Sequence, residues 1–457
     1  MTDFLRPGVR GWRKPACWQC VLTLLREGCR RCATWLAILA WLGLTGGTTA
    51  AQDAEIRVAR LIKRLGDASA AERDAAVEEL VRLGAAARPQ LLEAASDPDP
   101  EVRLRAKQLL QQLQVEELWQ AAPVELPLGR LSASRSLAQI AEQTGNRLLI
   151  GDQYGAFHET PVELDEPVTT FWEAVDALCR KSGNRVRQAF DSRQAGLVVV
   201  AGSLGKYPVA YAGPVRAQLV AARRVYTEEL SYENFQSARN HTFQLDLQVM
   251  WEDRFRLVAY RSQPEVVEAV TAAGQRLAAV QPAGGSWNVV TGGTRQVSMN
   301  LRLHPPPTAA GKLQRLAMRW GLIAVGQPAS IEVTDLSSRQ SYFQDDVELI
   351  VEGFQQGPGS RCEVTLLVIR DLVLPEPQEV LFHENDIELI DQQGRPYRKQ
   401  GQTNALTEAG ARMKLTFLAE GSDSTPHLLR FTYPRLRAQR AIDIVFTDVP
   451  LPTGRPE

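Results

Sequence analysis

The chain is poor in the residues that most metal sites and acid–base catalysts use. It has only five histidines in 457 residues, and none has a second histidine or a cysteine at the spacing of metal ligands. His383-Glu384 lacks the second histidine of a metalloprotease helix, and the glycine-rich stretches lack the lysine of a phosphate loop. We therefore expect no catalytic residue, no metal and no cofactor. The histidines, expected to be surface or hydrogen-bonded residues, are His158, His241, His304, His383 and His427.

Cysteine is scarce beyond residue 32. Four of the six cysteines form two Cys-x-x-Cys pairs at 17–20 and 29–32. The spacer of eight residues between the pairs is shorter than the ~15–20 residues of a zinc ribbon, which favours a discarded N-terminal region over a zinc site. The remaining Cys179 and Cys362 are typical of isolated core thiols, and a disulfide between them is the alternative.

A secretory signal is predicted over residues 1–51. Ala33–Leu44 is an apolar run of twelve residues that follows seven basic residues and precedes small ones. Twelve residues span about 18 Å of helix, short of the ~20 residues that a bilayer core needs, so a retained transmembrane anchor is only the alternative. Thr49 and Ala51 favour cleavage before Gln52. Losing seven basic and two acidic residues changes the formal charge from −1 to −6, which argues against nucleic acid as a partner.

Residues 52–118 are predicted to be helical throughout. Ser69 with Glu72 forms a capping box, Gly84 ends that helix, and Asp99-Pro100 begins another. One motif recurs with an offset of 30 residues: Arg73, Ala76, Leu80 and Leu83 return as Arg103, Ala106, Leu110 and Leu113. The repeat, the Asp-Pro turn and the alternation of longer and shorter helices resemble HEAT repeats. That resemblance implies protein binding, whereas a short helical cap on the next domain is the alternative.

Residues 122–205 contain one pattern written twice with an offset of 38 residues. Strands are predicted at 124–128, 148–150, 162–164, 185–190 and 196–201, with helices at about 135–144 and from Phe171, which gives the order βαββαβ. The simplest packing places both helices on one face of a small sheet. The repeated residues are Leu137, Ile140, Ala141 and Thr144-Gly145-Asn146-Arg147, returning as Val175, Leu178, Cys179 and Ser182-Gly183-Asn184-Arg185.

This order, with its Thr-Gly and Ser-Gly turns, resembles the short N-terminal domain of secretins and TonB-dependent receptors. The resemblance spans nearly all of 124–202 and implies a periplasmic protein-contact module without catalytic residues. The chain departs from those families afterwards, because the remaining 255 residues lack the lipid-facing strands of a pore. Secretin or receptor activity is therefore not expected.

From residue 206 onward the apolar residues alternate with polar ones, as in Phe243 to Trp251 and Met413 to Phe417. Many short strands with one polar face predict two antiparallel β-sandwiches, at 206–338 and 339–457. The predicted fold class is thus multidomain α+β, with a helical repeat segment, a βαββαβ module and two β-sandwich domains.

Few residues remain as candidates for ligand contact. The flanking residues of Trp287 and Trp320 do not assign them readily to a core, so both are speculative contact residues. Acidic residues cluster at 345–346 and 384–391. A solvated strand face explains the cluster around Asp386 best, and a calcium loop or a carboxylate pair is the alternative.

These observations predict an exported, non-enzymatic protein of the periplasm or cell envelope that serves protein–protein contact or scaffolding. The first alternative is a carbohydrate- or cell-wall-binding protein that uses its β-sandwiches, and the second is a hydrolase.

The exported protein is expected to begin at Gln52. N-terminal sequencing of the secreted chain checks this expectation. Recovery of a chain that still carries Cys17 would contradict cleavage and restore the zinc interpretation of the N-terminal cysteines.

Overall fold

The computed structural model confirms a multidomain α+β protein. It falls into two compact units divided between Leu113 and Gln114, and each is described separately below. The predicted signal sequence and the four cysteines within it lie outside the described residues. The structure describes 52–150, 156–189, 196–203, 205–280, 284–291, 293–307, 310–358, 361–370, 386–419 and 424–452.

The first unit is helical. Its core contains apolar residues from every helix, among them Leu61, Leu80, Leu91 and Leu109. No side-chain hydrogen bond caps α2 from Ser69, and Glu72 pairs with Arg64 instead of closing the predicted capping box. The elements are α1 (52–64), α2 (Ala70–Leu83), a 3-10 turn (Gly84–Ala87), α3 (Arg88–Ala94) and α4 (Pro100–Trp119).

The repeated arginines of this unit make the same contacts 30 residues apart. Arg73 Nη1 donates to the carbonyls of Asp67 and Ala68, at 2.7 and 3.1 Å. Arg103 Nη1 donates to Asp97 and Pro98 in the same way, at 2.6 and 3.3 Å. Each arginine ties its helix to the loop before it, so the sequence repeat is also a structural repeat.

The second unit begins with α/β structure, called here the α/β segment (residues 120–202). Its predicted strand at 124–128 is not formed; the first strand lies at Gly129–Ser132. The strands also form two sheets rather than one, because β1 pairs only with β3, whereas β2 pairs parallel with β5 and β4 pairs antiparallel with β5. The elements are β1 (Gly129–Ser132), α5 (Ala133–Thr144), β2 (Leu148–Ile150), β3 (Pro161–Leu164), α6 (Phe171–Ser182), β4 (Asn184–Gln188) and β5 (Leu197–Ala201).

Both helices of this segment pack into one core. Leu137 on α5 and Val175 on α6, which the sequence repeat makes equivalent, are both fully buried. Each helix ends in a left-handed glycine, Gly145 at φ +67° and Gly183 at φ +74°. A left-handed cap suits glycine because it has no Cβ. The repeat therefore encodes the same helix and the same helix end twice.

Two sheets of the following β region face one core. Their inner residues include Phe243, Trp251, Leu316 and Phe446. The first sheet has the order β12-β8-β7-β6. The second has the order β10-β13-β9-β11, and β22 (Arg437–Pro450) pairs with the other edge of β13. The elements are β6 (Val209–Ala212), β7 (Val215–Leu230), β8 (Ser237–Trp251), β9 (Arg256–Gln263), β10 (Glu265–Thr271), β11 (Gly284–Val289), β12 (Gln296–Leu303) and β13 (Lys312–Val325).

A second pair of sheets surrounds a separate core that includes Val364, Leu389, Phe417 and Phe431. The sheet orders are β14-β21-β18 and β15-β16-β17-β20-β19. This β-rich content fits the predicted sandwiches. The elements are β14 (Pro328–Val333), β15 (Gln340–Gln344), β16 (Val347–Gln356), β17 (Arg361–Arg370), β18 (Asp386–Asp391), β19 (Arg398–Thr407), β20 (Gly410–Leu418), β21 (Pro426–Pro434) and β22 (Arg437–Pro450).

The two β regions are not consecutive along the chain. β22 pairs with β13 from Pro450↔Lys312 to Arg437↔Val325, so residues 437–450 complete the first β region, although the sequence assigns them to 339–457. β14 conversely belongs to the second region, although it precedes the predicted boundary at 338. Alternation alone marks a strand but does not name its partner, which explains the difference.

No helix in the described part of the chain is both long and apolar enough to cross a membrane. Cys179 and Cys362 are buried free thiols. Burial raises the pKa of Cys179 to about 12 and also raises the pKa of Cys362, so both are inert core residues.

Ending the chain at Leu436 is expected to unfold the first β region. Among the buried side chains that the truncation removes are four large ones of β22, Ile442, Ile444, Phe446 and Val449. At about 1.5–3 kcal/mol each, the loss is on the order of 6–12 kcal/mol, comparable with the ~5–15 kcal/mol that stabilises a domain. Circular dichroism during thermal unfolding measures the effect. A chain ending at Pro452 is the control, and an unchanged midpoint in the shorter chain would contradict the β13–β22 pairing.

Candidate functional site

Trp320, one of the two speculative contact residues, is not a surface residue. Its side chain is fully buried, its Nε1 donates to the carbonyl of Arg261 at 2.8 Å, and its ring lies 5.5 Å from that of Tyr260. Successive side chains of a strand point to opposite faces. Arg319 and Gly321, the neighbours that suggested exposure, therefore lie on the outer face while Trp320 points into the core.

Trp287 lies on the outer face of the same sheet and is half-buried. The guanidinium carbon of Arg261 lies 4.3 Å from its ring centroid, which is a cation–π contact. A Cβ on Gly321 would lie 2.9 Å from Arg261 Cγ, so this glycine makes room for the stack. Because Arg261 already covers the ring, Trp287 is not a free platform for a sugar.

The acidic residues around Asp386, for which a calcium loop is the alternative interpretation, include side chains that bind neighbouring residues of the chain. Asp391 is buried, which raises its pKa, but hydrogen bonds from the backbone and side chain of Arg395 and from Ser424 outweigh this effect and lower the pKa overall. Glu388 pairs with Arg430 at 3.2 Å. Glu384 lies outside the described residues. Among those that are described, no three His, Cys, Asp or Glu side chains converge as metal ligands would.

Two histidines of the described chain make structural contacts, whereas His304 and His427 are exposed. The backbone of His158 exchanges two hydrogen bonds of 2.9 Å with the Asn184 side chain. His241 stacks on Tyr226 at 4.0 Å, and burial together with Arg224 lowers its pKa. His383 lies outside the described residues.

A buried carboxylate joins the α/β segment to the sheet that follows it. Glu252, in the turn after β8, is fully buried and accepts hydrogen bonds from Ala122 N, Asn146 Nδ2 and Arg254 Nε at 3.0, 3.1 and 2.6 Å. Asn146 Oδ1 accepts from Arg254 N at 2.9 Å. Asn146 is the repeat equivalent of Asn184, which instead holds a loop of its own segment. The two equivalent asparagines of the repeat therefore form hydrogen bonds with different parts of the chain.

A buried ion pair forms a second junction. Asp176 on α6 and Arg216 on β7 are 1% and 2% exposed, and Arg216 Nε lies 2.7 Å from Asp176 Oδ2. Tyr211 OH donates to the same oxygen at 2.8 Å, and burial followed by the Asp176 charge raises the pKa of Tyr211. Arg216 Nη1 also donates to Gln218 Oε1 at 2.7 Å. Asp176 Oδ1 has no hydrogen-bond partner in the described structure.

The turn between β6 and β7 fits closely at this junction. Trp172 Nε1 donates to the carbonyl of Pro214 at 2.9 Å. Gly213 has φ +57°, and a Cβ there would lie 2.1 Å from the carbonyl oxygen of Trp119. Only glycine permits this approach of two backbones.

Two adjoining cavities of about 470 and 410 Å³ open between α6–β4 and β6–β7–β8 and share Tyr207 as a wall. We call them together the junction groove. Arg180, Lys206 and Arg216 line the larger cavity, and Arg185 and Gln218 line the smaller one.

The groove is basic. Arg180, Arg185 and Lys206 are exposed, and no carboxylate of the described chain forms an ion pair with them. Arg216 is neutralised by Asp176, whereas these three cations are not. Around them stand amides and phenols, which supply hydrogen-bond donors and acceptors. The arrangement suits a ligand with several negative charges.

Sequence reasoning missed this groove. Arg180, Arg185 and Lys206 come from a helix end, a strand and a loop, and their convergence depends on the docking of two parts of the chain. One signal was present: Arg216 and Gln218 interrupt an apolar strand start, Val215–Leu219, and both are buried. Polar residues that alternate with apolar ones on a strand normally predict a solvent-exposed face, so the burial of these two was not expected.

Comparisons with known proteins identify no family. No protein-family model, curated protein or solved structure matches the chain.

Replacing Asp176 with Ala is expected to destabilise the protein by about 3–5 kcal/mol, because Arg216 is then left buried without its counter-ion. Urea unfolding measures the change. Asp176→Leu combined with Arg216→Met should recover part of the loss, since it removes both charges.

Glu228→Ala is the matched control. It breaks the exposed pair of Glu228 with Arg239 and should cost less than about 1 kcal/mol. Equal effects of Asp176→Ala and Glu228→Ala would contradict the structural role of the buried pair.

Proposed function

We propose that the chain is an exported, non-enzymatic binding protein of the periplasm or cell envelope, and that its junction groove receives an acidic, extended segment of a protein partner. One observation carries the proposal: three cations without carboxylate partners among the described residues, Arg180, Arg185 and Lys206, line one groove. Exposed cations that converge attract a polyanionic ligand and accelerate its association.

The polar lining supports a peptide as the ligand. Gln218 and Gln248 line the smaller cavity, and their side-chain amides hydrogen-bond to each other at 2.9 Å. Amide groups match the donors and acceptors of a peptide backbone. Tyr207, 42% exposed, and Val220, 41% exposed, add apolar surface for a side chain of the partner.

The surroundings of Tyr211 and Arg216 favour binding over catalysis. Tyr211 donates its proton to Asp176, and burial raises its pKa, so the phenol stays protonated. Arg216 is already engaged by Asp176 and Gln218. Among the described residues of the groove, no nucleophile is paired with a general base of the kind that covalent catalysis requires.

The resemblances found in the sequence are consistent with this role. The helical unit resembles HEAT repeats, and the α/β segment resembles the N-terminal domain of secretins and TonB-dependent receptors. Both classes mainly contact other proteins. On this proposal the α/β segment is a secretin-like module, the β regions are two sandwiches, and the groove belongs to neither part alone.

Fluorescence anisotropy with a labelled (Glu-Ser)4 peptide tests the proposal. The chain 52–457 is expected to bind the peptide, more weakly as salt screens the charges. Arg180→Glu combined with Lys206→Glu should weaken binding about tenfold or more, since two attractive charges become repulsive.

A control with the same change in net charge tests whether the loss of affinity depends on the groove. Arg60→Glu with Lys107→Glu changes two exposed cations of the helical unit and should leave the affinity within about twofold. Equal losses in both double variants, or no binding by the unaltered chain, would overturn the proposal. Tight binding of a uronate oligomer in place of the peptide would instead establish the carbohydrate alternative.

A further inference from the structure

The hairpin of β7 and β8 extends beyond the sheet that contains it. The two strands pair from Val215↔Trp251 to Leu230↔Ser237. Their outer neighbours stop earlier, because β6 reaches only Gln218 and β12 reaches only Phe243. Residues 225–242, called here the arm, therefore form a two-stranded ribbon whose outer edges pair with no strand of the described structure.

The tip of the arm exposes large apolar side chains. Tyr232 is 81% and Phe235 is 76% exposed, and Tyr226 and Leu230 are also exposed. The turn is nevertheless ordered by hydrogen bonds from Ser231 N to the carbonyl of Gln236 at 2.9 Å and from Gln236 N to Asn234 Oδ1 at 3.0 Å. Phe235 adopts φ +55°, which is uncommon for a residue with a Cβ. Exposed aromatic side chains on a defined turn are typical of anchors for a partner.

The base of the arm is fixed. Arg224 donates to the carbonyls of Pro306 and Pro307 at 2.9 and 3.0 Å. Beyond it, Tyr226 stacks on His241 across the two strands. A fixed base reduces the conformational entropy that docking would cost.

The charge of the arm complements that of the junction groove. Glu228 pairs with Arg239 at 3.0 Å, but Glu229 and Glu233 have no cationic partner among the described residues. The arm thus presents two free carboxylates with aromatic side chains. The groove presents free cations with Tyr207 and Val220.

The arm cannot reach the groove of its own chain. Val220 lines the groove and lies on β7, the strand that carries the arm outward. The ten residues from Val220 to Leu230 span about 33 Å of extended strand. An arm that enters a groove must therefore come from another molecule.

We propose that the arm of one copy of this chain docks in the junction groove of a second copy. The inference rests on the proposed function of the groove and names its partner. Because arm and groove are different surfaces, the contact is head-to-tail. Repeated in one direction, such a contact builds a ring or a filament, whereas reciprocal exchange of two arms gives a twofold dimer.

Sedimentation velocity of the chain 52–457 over a range of concentrations tests the proposal. The unaltered chain should form larger species as its concentration rises, and salt should dissociate them. The arm variant, Glu229→Lys with Glu233→Lys, and the groove variant, Arg180→Glu with Lys206→Glu, should each sediment as monomers.

Mixing the two variants gives the decisive measurement. The acidic arm of the groove variant fits the basic groove of the arm variant, and the reversed arm of the arm variant fits the reversed groove, so an equimolar mixture should assemble although each variant alone stays monomeric. A chain that carries all four substitutions exchanges the charges of the two surfaces and should assemble again. Glu166→Lys with Glu408→Lys, at exposed sites elsewhere, should assemble like the unaltered chain.

Two results would overturn the inference. One is a chain that stays monomeric at every concentration, and the other is assembly that persists in either charge-reversed variant. Peptide binding separates the two proposals: a monomeric chain that still binds the acidic peptide refutes self-assembly but retains the proposed function. Tyr232→Ser with Phe235→Ser should weaken assembly while leaving peptide binding unchanged.

Discussion

The organisation of the second unit depends on buried polar contacts between its α/β segment and the β sheet that follows. Glu252 and the Asp176–Arg216 pair are removed from water, and each loses its hydration. Such groups are tolerable only when their partners are in place, which makes the junction sensitive to small displacements. An apolar interface would accept several relative positions of the two parts, whereas these hydrogen bonds accept one. The junction groove has a defined shape for this reason, because its walls come from both sides of the junction.

Chain connectivity adds a second constraint. The second β region is inserted between β13 and β22, so both of its ends are held by the first region. The two connecting segments between the regions also hydrogen-bond to each other. Gly326 N donates to the carbonyl of Leu436 at 2.8 Å, and Arg435 N donates to that of Gln327 at 3.1 Å. Two adjacent connections restrict relative motion more than one linker would. Folding of the first region must therefore wait for a strand that the chain supplies more than a hundred residues later, which is costly in loop-closure entropy.

Local features of the fold could be read from the sequence, and pairings could not. Apolar period and turn residues predicted the two helices of the α/β segment, and Leu137 and Val175 are both buried as the repeat implied. The same reasoning could not find the partner of β22 or the separation of β1–β3 from β2–β5–β4, because strand alternation does not encode which strands meet. It also gave Trp320 as a speculative contact residue although the side chain is buried, since neighbouring residues on a strand point to the opposite face. The groove was out of reach because its cations converge only after the two parts dock.

The repeat of Asn146 and Asn184 shows how a contact between parts of one chain arises. Both asparagines follow a left-handed glycine at a helix end, so both present a side-chain amide at the same place in their half of the repeat. Asn184 uses the amide to hold the backbone of His158 within the α/β segment. Asn146 uses it to hold Glu252 and Arg254 of the following sheet. Equivalent positions of the repeat thus hold one segment together in one half and join two parts of the chain in the other. The proposed binding surface depends on these hydrogen bonds. Unless the α/β segment is held on the following sheet, Arg180 on α6 and Lys206 before β6 would not line the same groove.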